Sequence, residues 1–430
     1  MTTPSPLAAS TQAPWRILPL PPEVRDEAAA ALHAIAHALP SPQDEQPGPG
    51  LAGGHAGFAL FHAYYAMSGL DGHDHRGLAM AHLETAAELL PQLQGYPGFY
   101  GGFSGTAWAI DHLEKAGIFE ADEDLNEVVD EALLADLARR PYVGLCELIA
   151  GISGSGLYGL DRGQRGRGRA VAEAALEALN LTAERRDGQT TWFNAPEALS
   201  SMARETHPDG CHNLGLSHGV PGAIGFLAEA AVQGLEAARP ALEGAVAWLL
   251  AQAEEYPNGS RFGYSVEPGK QGHGSRLSWC YGDLGISAVL LLAARFMGRA
   301  DWEAEALKLA QGCARRPVAS AGTVDAALCH GAIGNAHLFH RLWQATGDPS
   351  LEAAAVLWLR HGLAMRKPGE ACGGFLAWRS PEPGFTEPYY VADPSLLEGS
   401  AGIGLALLAF LAPQEPHWDR FLLVHVPPRA

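Results

Sequence analysis

One short motif, repeated along the chain, decides the fold. Its most informative copies read Ser278-Trp279-Cys280-Tyr281-Gly282-Asp283-Leu284-Gly285 and, about fifty residues later, Leu328-Cys329-His330-Gly331-Ala332-Ile333-Gly334. In both copies a thiol stands two residues before the first glycine of a Gly-x-x-Gly pair. Two cysteines and an adjoining histidine at equivalent positions of two repeats suit a Zn²⁺ ion with three protein ligands and an open fourth position, which is the pattern of a catalytic zinc.

The Gly-x-x-Gly pair recurs along the whole chain. The pairs are Gly54/Gly57, Gly102/Gly105, Gly151/Gly154, Gly219/Gly222, Gly282/Gly285, Gly331/Gly334 and Gly399/Gly402. Successive pairs are 48, 49, 68, 63, 49 and 68 residues apart. A single pair is common in proteins, but seven copies at these spacings indicate an internal repeat.

Each pair opens an apolar segment that is followed by a more polar one. We predict apolar inner helices over residues 286–297 and 335–345, and amphipathic outer helices over residues 302–311 and 350–365. A further helix should begin at Pro22 and end near Leu39, before Pro40. About fifty residues accommodate two helices of roughly 12–15 residues together with their loops.

Seven helix pairs predict an all-α protein, a double-layered α/α toroid, because glycines at the inner helix starts allow close approach of neighbouring backbones. An open solenoid is the alternative. Solenoids usually have polar capping repeats, whereas the last repeat here, residues 397–411, is as apolar as the others. We expect residues 1–21 to be an extended lead-in, 22–413 the toroid and 414–430 a C-terminal tail. Residues 183–213, 254–276 and 367–393 should form loops over one mouth.

The composition argues against several classes of protein. The 430 residues are 47% hydrophobic and 18% charged, values typical of a soluble globular protein. A net charge of -19 without a basic run argues against nucleic acid as a partner. It suits either a cationic peptide partner or solubility alone. Six scattered cysteines indicate reduced thiols and metal ligands instead of a disulfide framework.

The chain has no obvious membrane or export signal. No apolar run approaches the ~20 residues needed to span a bilayer, and the N-terminus lacks the apolar core of a signal peptide. We therefore expect a cytoplasmic protein that is not an integral membrane protein. Attachment to the membrane surface through partners is compatible with this expectation.

Four stretches together resemble the lanthionine synthetase C-like family, which comprises the lantibiotic cyclases and their eukaryotic relatives. They are Asn213-Leu214-Gly215-Leu216-Ser217-His218-Gly219-Val220-Pro221-Gly222, Trp279-Cys280-Tyr281-Gly282, Cys329-His330-Gly331 and Leu396-Leu397-Glu398-Gly399. The resemblance covers residues 53–411. It implies a double-layered α toroid with one zinc at one end and, for the cyclases, closure of thioether rings in a dehydrated precursor peptide. Cys280, Cys329 and His330 match the family's zinc ligands one for one.

His218 is the predicted catalytic acid. It directly precedes its repeat's glycine, as His330 precedes Gly331, so the toroid should place both at one mouth. A histidine can donate a proton near neutral pH. The resemblance further implies a carboxylate at Glu147, where the cyclases usually carry aspartate, that orients His218 or accepts a proton. The alternative for Glu147 is an acid that only stabilises a helix start.

Arg276 and Tyr281 complete the predicted catalytic set. By the resemblance, Arg276 would stabilise the enolate that forms when a thiolate adds to a dehydroamino acid, or it would pair with Glu147. A purely structural salt bridge is the alternative. Tyr281 would donate a hydrogen bond near the enolate, or only support a metal ligand. Cys211 lies out of register with the repeat glycine, so we do not expect it to bind metal. Cys313 and Cys372 are expected to pack in the interior, and Cys146 would be a stray thiol near the mouth if Glu147 lies there.

These features predict a zinc-dependent lanthionine synthetase, in which a peptide thiolate on zinc adds to dehydroalanine or dehydrobutyrine. Two thiolates and a neutral imidazole favour thiol activation over hydrolysis. Three alternatives are open: addition of glutathione to dehydroamino acids, a peptide- or glutathione-binding scaffold without turnover, and a zinc prenyltransferase, whose zinc set normally includes a carboxylate. As partners we expect a dehydrated precursor peptide and, beside this separate cyclase, a dehydratase and a peptide exporter.

Overall fold

The protein is a closed ring of helices in two layers. The computed structural model describes residues 14–44, 46–93, 95–267, 269–381 and 387–428, and in this part of the chain seven inner helices are surrounded by seven outer ones. The inner helices are α2 (His55–Ser68), α4 (Phe103–Lys115), α6 (Ile152–Arg162), α9 (Val220–Val232), α11 (Asp283–Met297), α13 (Ala332–Thr346) and α15 (Ser400–Leu411). The outer helices are α1 (Pro22–Ala36), α3 (His75–Leu89), α5 (Glu127–Leu137), α7 (Gly168–Thr182), α10 (Arg239–Ala251), α12 (Ala300–Arg315) and α14 (Pro349–Leu363), and a short helix, α8 (Ser201–Thr206), lies in a connection.

The ring closes because each inner helix packs against the next and α15 packs against α2. The predicted α/α toroid is therefore confirmed. One pairing differs from the expected order of inner helix followed by outer helix: the outer partner of α15 is α1, from the start of the chain. Trp15 strengthens this seam, since its indole Nε1 donates to the carbonyl oxygen of Ala409 across 3.0 Å. The first thirteen residues of the expected lead-in lie outside the described residues.

Both glycines of a pair are required because each inner helix starts against the backbone that precedes it. A Cβ atom at Gly282 would lie 2.1 Å from the carbonyl oxygen of Arg276, and one at Gly285 would lie 2.2 Å from that of Trp279. Gly282 also has a φ of 97°, which L-residues rarely adopt. Since Gly282 is the residue before the helix, α11 begins at Asp283, three residues earlier than predicted.

A circle of backbone hydrogen bonds joins the seven repeats at one mouth. The residue two positions before each first glycine donates its N–H to the carbonyl oxygen of its counterpart in the next repeat, over 2.8–3.4 Å. The seven residues, in order around the ring, are Ala52, Tyr100, Ile149, Ser217, Cys280, Cys329 and Leu397, and the N–H of Leu397 returns to Ala52. The main chain therefore sets the relative positions of equivalent residues in neighbouring repeats.

The C-terminal segment fills part of the interior. Trp418, Phe421 and Leu422 are buried. The carbonyl oxygen of Phe421 accepts from the hydroxyl of Tyr100 at 2.6 Å, and that of Leu422 accepts from the indole of Trp279 at 2.8 Å. Residues 417–422 thus support the backbone segments that form the hydrogen-bonded circle.

The longer connections form short antiparallel hairpins and bridges. β1 (Glu184–Arg186) pairs with β2 (Gln189–Thr191), β3 (His212–Asn213) with β4 (Ser265–Val266), and β5 (Leu376–Arg379) with β6 (Tyr389–Ala392). The β3–β4 pair links the connection before α9 to the one before α11. Two of the predicted loop segments are therefore hydrogen-bonded to each other. Among the described residues, none of the helices combines the length and the apolarity that a bilayer crossing demands.

Candidate metal centre and reaction site

The repeat register brings the candidate metal ligands together. Cys280 and Cys329 are consecutive members of the backbone circle, and His330 follows Cys329 directly. One potential ligand atom from each of the three residues lies within 4.8 Å of the other two. All three side chains are buried. The structure thus assembles the predicted set at the point where α11 and α13 begin.

The charges within this group are suited to a dication. Hydrogen bonds from the Cys329 thiol and from His330 hold the pKa of Cys280 well below its usual range, against the effect of burial. The neighbouring Cys280 and burial raise the pKa of Cys329 well above its usual range. A coordinated thiol loses its proton, so a metal ion among the three would favour both thiolates together. Two sulfur donors and one nitrogen donor fit zinc with one position left open.

Asp325 is a functional candidate that the sequence reasoning missed. Its Oδ2 lies 3.5 Å from Nε2 of His330, and the carboxylate is fixed by the backbone N–H groups of Ala327 at 3.1 Å and Trp378 at 3.0 Å. Although burial opposes it, Asp325 together with Cys280 raises the pKa of His330 to about 9. With Nε2 facing the carboxylate, Nδ1 is left to bind a metal. A carboxylate that orients a ligating imidazole is a common support of zinc sites.

His218 and Glu147 form a pair at the same mouth. His218 follows Ser217 of the backbone circle, and its Nδ1 is hydrogen-bonded to Oε2 of Glu147. The other carboxylate oxygen accepts from the backbone N–H of Ala150 at 3.2 Å, so the Glu147 carboxylate is hydrogen-bonded to both His218 and Ala150. Burial lowers the pKa of His218, but the hydrogen bond and charge of Glu147 outweigh it and the pKa is raised. The His218 side chain is 42% exposed, so the ring is accessible.

Arg276 and Tyr281 flank Cys280 in different ways. Among the described residues no carboxylate lies within ion-pair distance of Arg276, and Glu147 is engaged with His218. Burial opposes the charge of Arg276, yet Cys280 and Tyr264 raise its pKa. The hydroxyl of Tyr281 accepts from Nδ2 of Asn213 at 3.1 Å. Asn213, which stands six residues before Gly219, is a second support that the sequence reasoning left unassigned.

A cavity of about 740 Å³ opens beside these residues. Glu147, His218, Arg276 and Tyr281 all line it, together with the connections that carry β3 and β4. Its wall has acidic, basic and apolar members, among them Glu254, Glu267, Lys270, His207, Leu199 and Val266. Cys280, Cys329 and His330 are not among its described lining residues. The four predicted catalytic residues therefore share one space, which borders the metal group through Arg276 and Tyr281.

The other thiols are placed apart from the metal group. Cys211 is buried beside the same cavity, where burial and Glu267 raise its pKa to about 11. Cys146, Cys313 and Cys372 are also buried. Among the described residues, none of these four cysteines belongs to a cluster of three potential metal ligands. A second cavity, of about 710 Å³, is lined by residues such as Asp161 and Arg420, which are paired with each other at 3.1 Å.

The structure defines a class of protein: a closed double-layered helical toroid that presents a Cys-Cys-His group and a His–Glu pair at one mouth. Nisin cyclase, a solved structure, has the same fold, with a TM-score of 0.72 over 94% of this chain and 98% of that chain at 17% sequence identity. A family model described as lanthionine synthetase C-like protein matches residues 46–423. The chain belongs to the lanthionine synthetase C-like family.

Proposed function

We propose that the protein is a zinc-dependent lanthionine and methyllanthionine synthetase. It would add cysteine thiolates of a dehydrated precursor peptide to dehydroalanine or dehydrobutyrine and so close thioether rings. The observation that carries the proposal is that one backbone circle bears both the Cys280–Cys329–His330 group and the histidine that pairs with Glu147. Thiol addition needs a place for the thiol and a proton donor nearby, and these two groups supply both.

Cys280, Cys329 and His330 would hold one zinc ion per chain, and Asp325 would orient the imidazole. When bound there, zinc would lower the pKa of a substrate thiol and keep its sulfur nucleophilic, because two thiolates and a neutral imidazole already balance the charge of the ion. The chain's part is to fix the three donors, to leave one position free and to exclude water through burial of the group.

His218 would complete the addition by protonating carbon. A new C–S bond forms at the β-carbon while the C=C π electrons move into an enolate, which needs a proton at the α-carbon. Nδ1 of His218 is engaged by Glu147, so Nε2 is the atom that can deliver this proton. The thiol proton released at the start replaces the proton that the imidazolium gives up, so the net reaction neither consumes nor releases protons.

Arg276 and Tyr281 would stabilise the enolate oxygen. The guanidinium of Arg276 keeps its charge despite partial burial. The hydroxyl of Tyr281 accepts from Asn213 and therefore still has its own proton to donate. Preorganised donors aimed at developing charge lower an addition barrier more than the same groups do in water.

The partner in this proposal is a dehydrated ribosomal precursor peptide that enters the cavity beside His218. The cavity's mixed wall suits a segment of varied side chains. A cytoplasmic location, with a separate dehydratase before this step and a peptide exporter after it, fits the reaction. Any contact with the membrane would then be made through these partners.

The proposal is tested by incubating the zinc-loaded protein with a dehydrated, cysteine-containing peptide and counting free thiols by alkylation and mass spectrometry. The wild type should consume thiols without changing the peptide mass, and Cys280→Ala should not. Cys313→Ala, which removes a buried thiol in α12, is the matched control. Persistence of thiols with zinc present, or equal loss in Cys280→Ala, contradicts the proposal. A parallel arm with added glutathione tests the rival reaction, since a glutathione adduct in place of a ring would identify it.

A further inference from the structure

A second group of potential metal ligands lies in the outer layer, between α1 and the connection from α2 to α3. His33 and His37 stand one turn apart at the C-terminal end of α1, with ring centroids 4.4 Å apart. Asp71 lies in the connection, and its Oδ2 is 3.4 Å from Nδ1 of His33. One potential ligand atom from each of these residues lies within 4.8 Å of the other two. We propose that His33, His37 and Asp71 form a second site for a divalent transition-metal ion of the zinc type.

The carboxylate of this site is held in place by the protein. Asp71 is only 9% exposed, and it accepts from the backbone N–H of His73 at 3.0 Å and from the hydroxyl of Tyr65 at 3.5 Å. Nε2 of the buried His75 lies 3.5 Å from Oδ2. An oriented carboxylate beside two exposed imidazoles is a partly preformed metal site, because only the histidines must adjust.

The two histidines have the freedom to adjust. His33 is 56% exposed and His37 is exposed. Zinc bonds of about 2.0–2.2 Å to nitrogen and oxygen place tetrahedral ligand atoms about 3.4 Å apart, which is the observed separation of Asp71 Oδ2 and His33 Nδ1. His37 has to approach them. The ring of His73 does not belong to this set, because its Nδ1 is hydrogen-bonded to Oδ1 of Asp71 at 2.6 Å and so helps to hold the carboxylate.

The donor set selects the class of ion. Imidazole nitrogen suits Zn²⁺, Co²⁺, Ni²⁺ and Cu²⁺, whereas Mg²⁺ and Ca²⁺ prefer oxygen ligands alone. The site lacks a thiolate, so it differs chemically from the Cys280–Cys329–His330 group. The two sites can therefore be distinguished both by mutation and by spectroscopy.

An ion at this position would tie α1 to the first repeat. α1 precedes the repeats in the chain and serves as the outer partner of α15, so it forms the seam of the ring. A bond from His33 and His37 to Asp71 would fasten that helix to the α2–α3 connection. The expected consequence is higher stability of the folded ring, since an ion that binds only the folded state stabilises it.

The test uses untagged chain and Zn²⁺, with the thiol site removed by Cys280→Ala and Cys329→Ala. This double variant should retain one bound zinc in equilibrium dialysis, and zinc should raise its unfolding temperature. Adding His33→Ala and His37→Ala should abolish both effects. His361→Ala, an outer-helix histidine outside the cluster, is the matched control and should change neither. Absence of bound zinc in the thiol-free variant, or equal binding after the two histidines are removed, overturns the proposal.

A second measurement covers the case in which the thiol-free variant does not fold. Wild-type chain titrated with Co²⁺ should show sulfur-to-cobalt charge transfer for one ion and only weaker ligand-field bands for a second. His33→Ala with His37→Ala should remove the second signal and leave the first. If this variant keeps both signals, the proposal is wrong. A missing sulfur-to-cobalt band would instead count against zinc at Cys280 and Cys329. Failure of the proposed function can therefore be distinguished from failure of the second metal site.

Discussion

The backbone N–H of Cys280 donates to the carbonyl oxygen of Cys329 across 3.3 Å, and the N–H of Cys329 donates onward to Leu397 across 3.0 Å. The two thiols thus stem from neighbouring members of one hydrogen-bonded circle. Their separation depends on the main chain more than on their own packing. Changes that disturb the backbone at the repeat glycines should therefore disturb the metal group as well.

Gly331→Ala should destabilise the protein severely. A Cβ atom at this position would lie 2.0 Å from the backbone nitrogen of Ala327, which cannot move aside as a flexible side chain can. We expect a loss of at least about 3 kcal/mol in the free energy of unfolding, measured by urea denaturation. Gly312→Ala is the control, because nothing lies within 4 Å of its added Cβ in the last turn of α12. That change should be neutral or stabilise by up to about 1 kcal/mol.

Asp325→Asn should weaken zinc binding without removing a ligand. The amide keeps the size of the side chain but loses the charge that fixes the His330 ring. Loss of such a support typically lowers metal affinity by about 10–100-fold. Competition with a chelator of known affinity measures the change. Asp301→Asn, at the surface of α12, should leave the affinity unaltered, and an equal effect of the two substitutions would refute a role for Asp325.

Glu147→Gln should shift the pH dependence of cyclisation. As the proposed acid, His218 must be protonated, so the rate should fall as pH rises through its pKa. The charge and hydrogen bond of Glu147 raise that pKa against the effect of burial, and glutamine removes the charge. In Glu147→Gln the alkaline limb of the plot of kcat/KM against pH should therefore move to lower pH. Glu254→Gln, which changes another acid of the same cavity, should leave the limb in place. An unmoved limb in Glu147→Gln would show that Glu147 does not control His218.

Phe421→Ala should show that the C-terminal segment belongs to the core. Phe421 is fully buried, and truncation of a buried phenylalanine costs about 3–5 kcal/mol. The free energy of unfolding from denaturant titration measures the cost. Leu357→Ala removes a side chain that is exposed on α14 and should cost far less. Comparable losses in both variants would argue against a structural role for the segment.

Buried histidines between α2 and α3 should make the fold sensitive to acid. Burial and the neighbouring histidines lower the pKa of His62 to about 3, and burial and His55 lower that of His82 to about 4. The unfolded chain takes up protons on these groups below about pH 6.5, whereas the folded chain does not, so stability falls as pH decreases from 6.5 towards 4. Each group costs at most about 2 kcal/mol at pH 5.

His62→Gln should make the stability less dependent on pH over this range. The measurement is the free energy of unfolding between pH 7 and pH 5, in chelating buffer so that metal release does not contribute. His361→Gln, which alters a histidine of α14, should keep the wild-type slope. If His62→Gln keeps it too, the acid sensitivity has another source.

The toroid can be predicted from the sequence because close backbone approach leaves a trace in residue type. At every repeat glycine except Gly331 an added Cβ would collide with the carbonyl oxygen six residues earlier, and at Gly331 it would collide with the backbone of Ala326 and Ala327, so the glycines mark both the repeat and its register. The same register explains why Cys280, Cys329 and His330 gather as expected and why His218 lies near Glu147. The roles assigned to these residues stay predictions.

Other features leave no such trace. Asp325 is held in place by the backbone N–H of Trp378, more than fifty positions further along the chain, which no local spacing indicates. The pairing of α1 with α15 and the burial of the C-terminal segment likewise depend on contacts between distant parts of the chain. Sequence patterns identify helices and their apolar faces, but they do not say which distant element covers a given face.

The hydrogen bond between Trp15 and Ala409 connects residues 394 positions apart. During synthesis α1 emerges before any of the inner helices, and its inner partner α15 emerges only after the other six. The apolar face of α1, with Ala28, Ala31 and Ile35, must therefore stay without its final partner until all seven inner helices have been made. Contacts so distant in sequence form slowly, and exposed apolar surface favours aggregation in the meantime. The ring can therefore close only once α15 has emerged, and the yield of folded protein should depend on how well the apolar face of α1 is shielded until then.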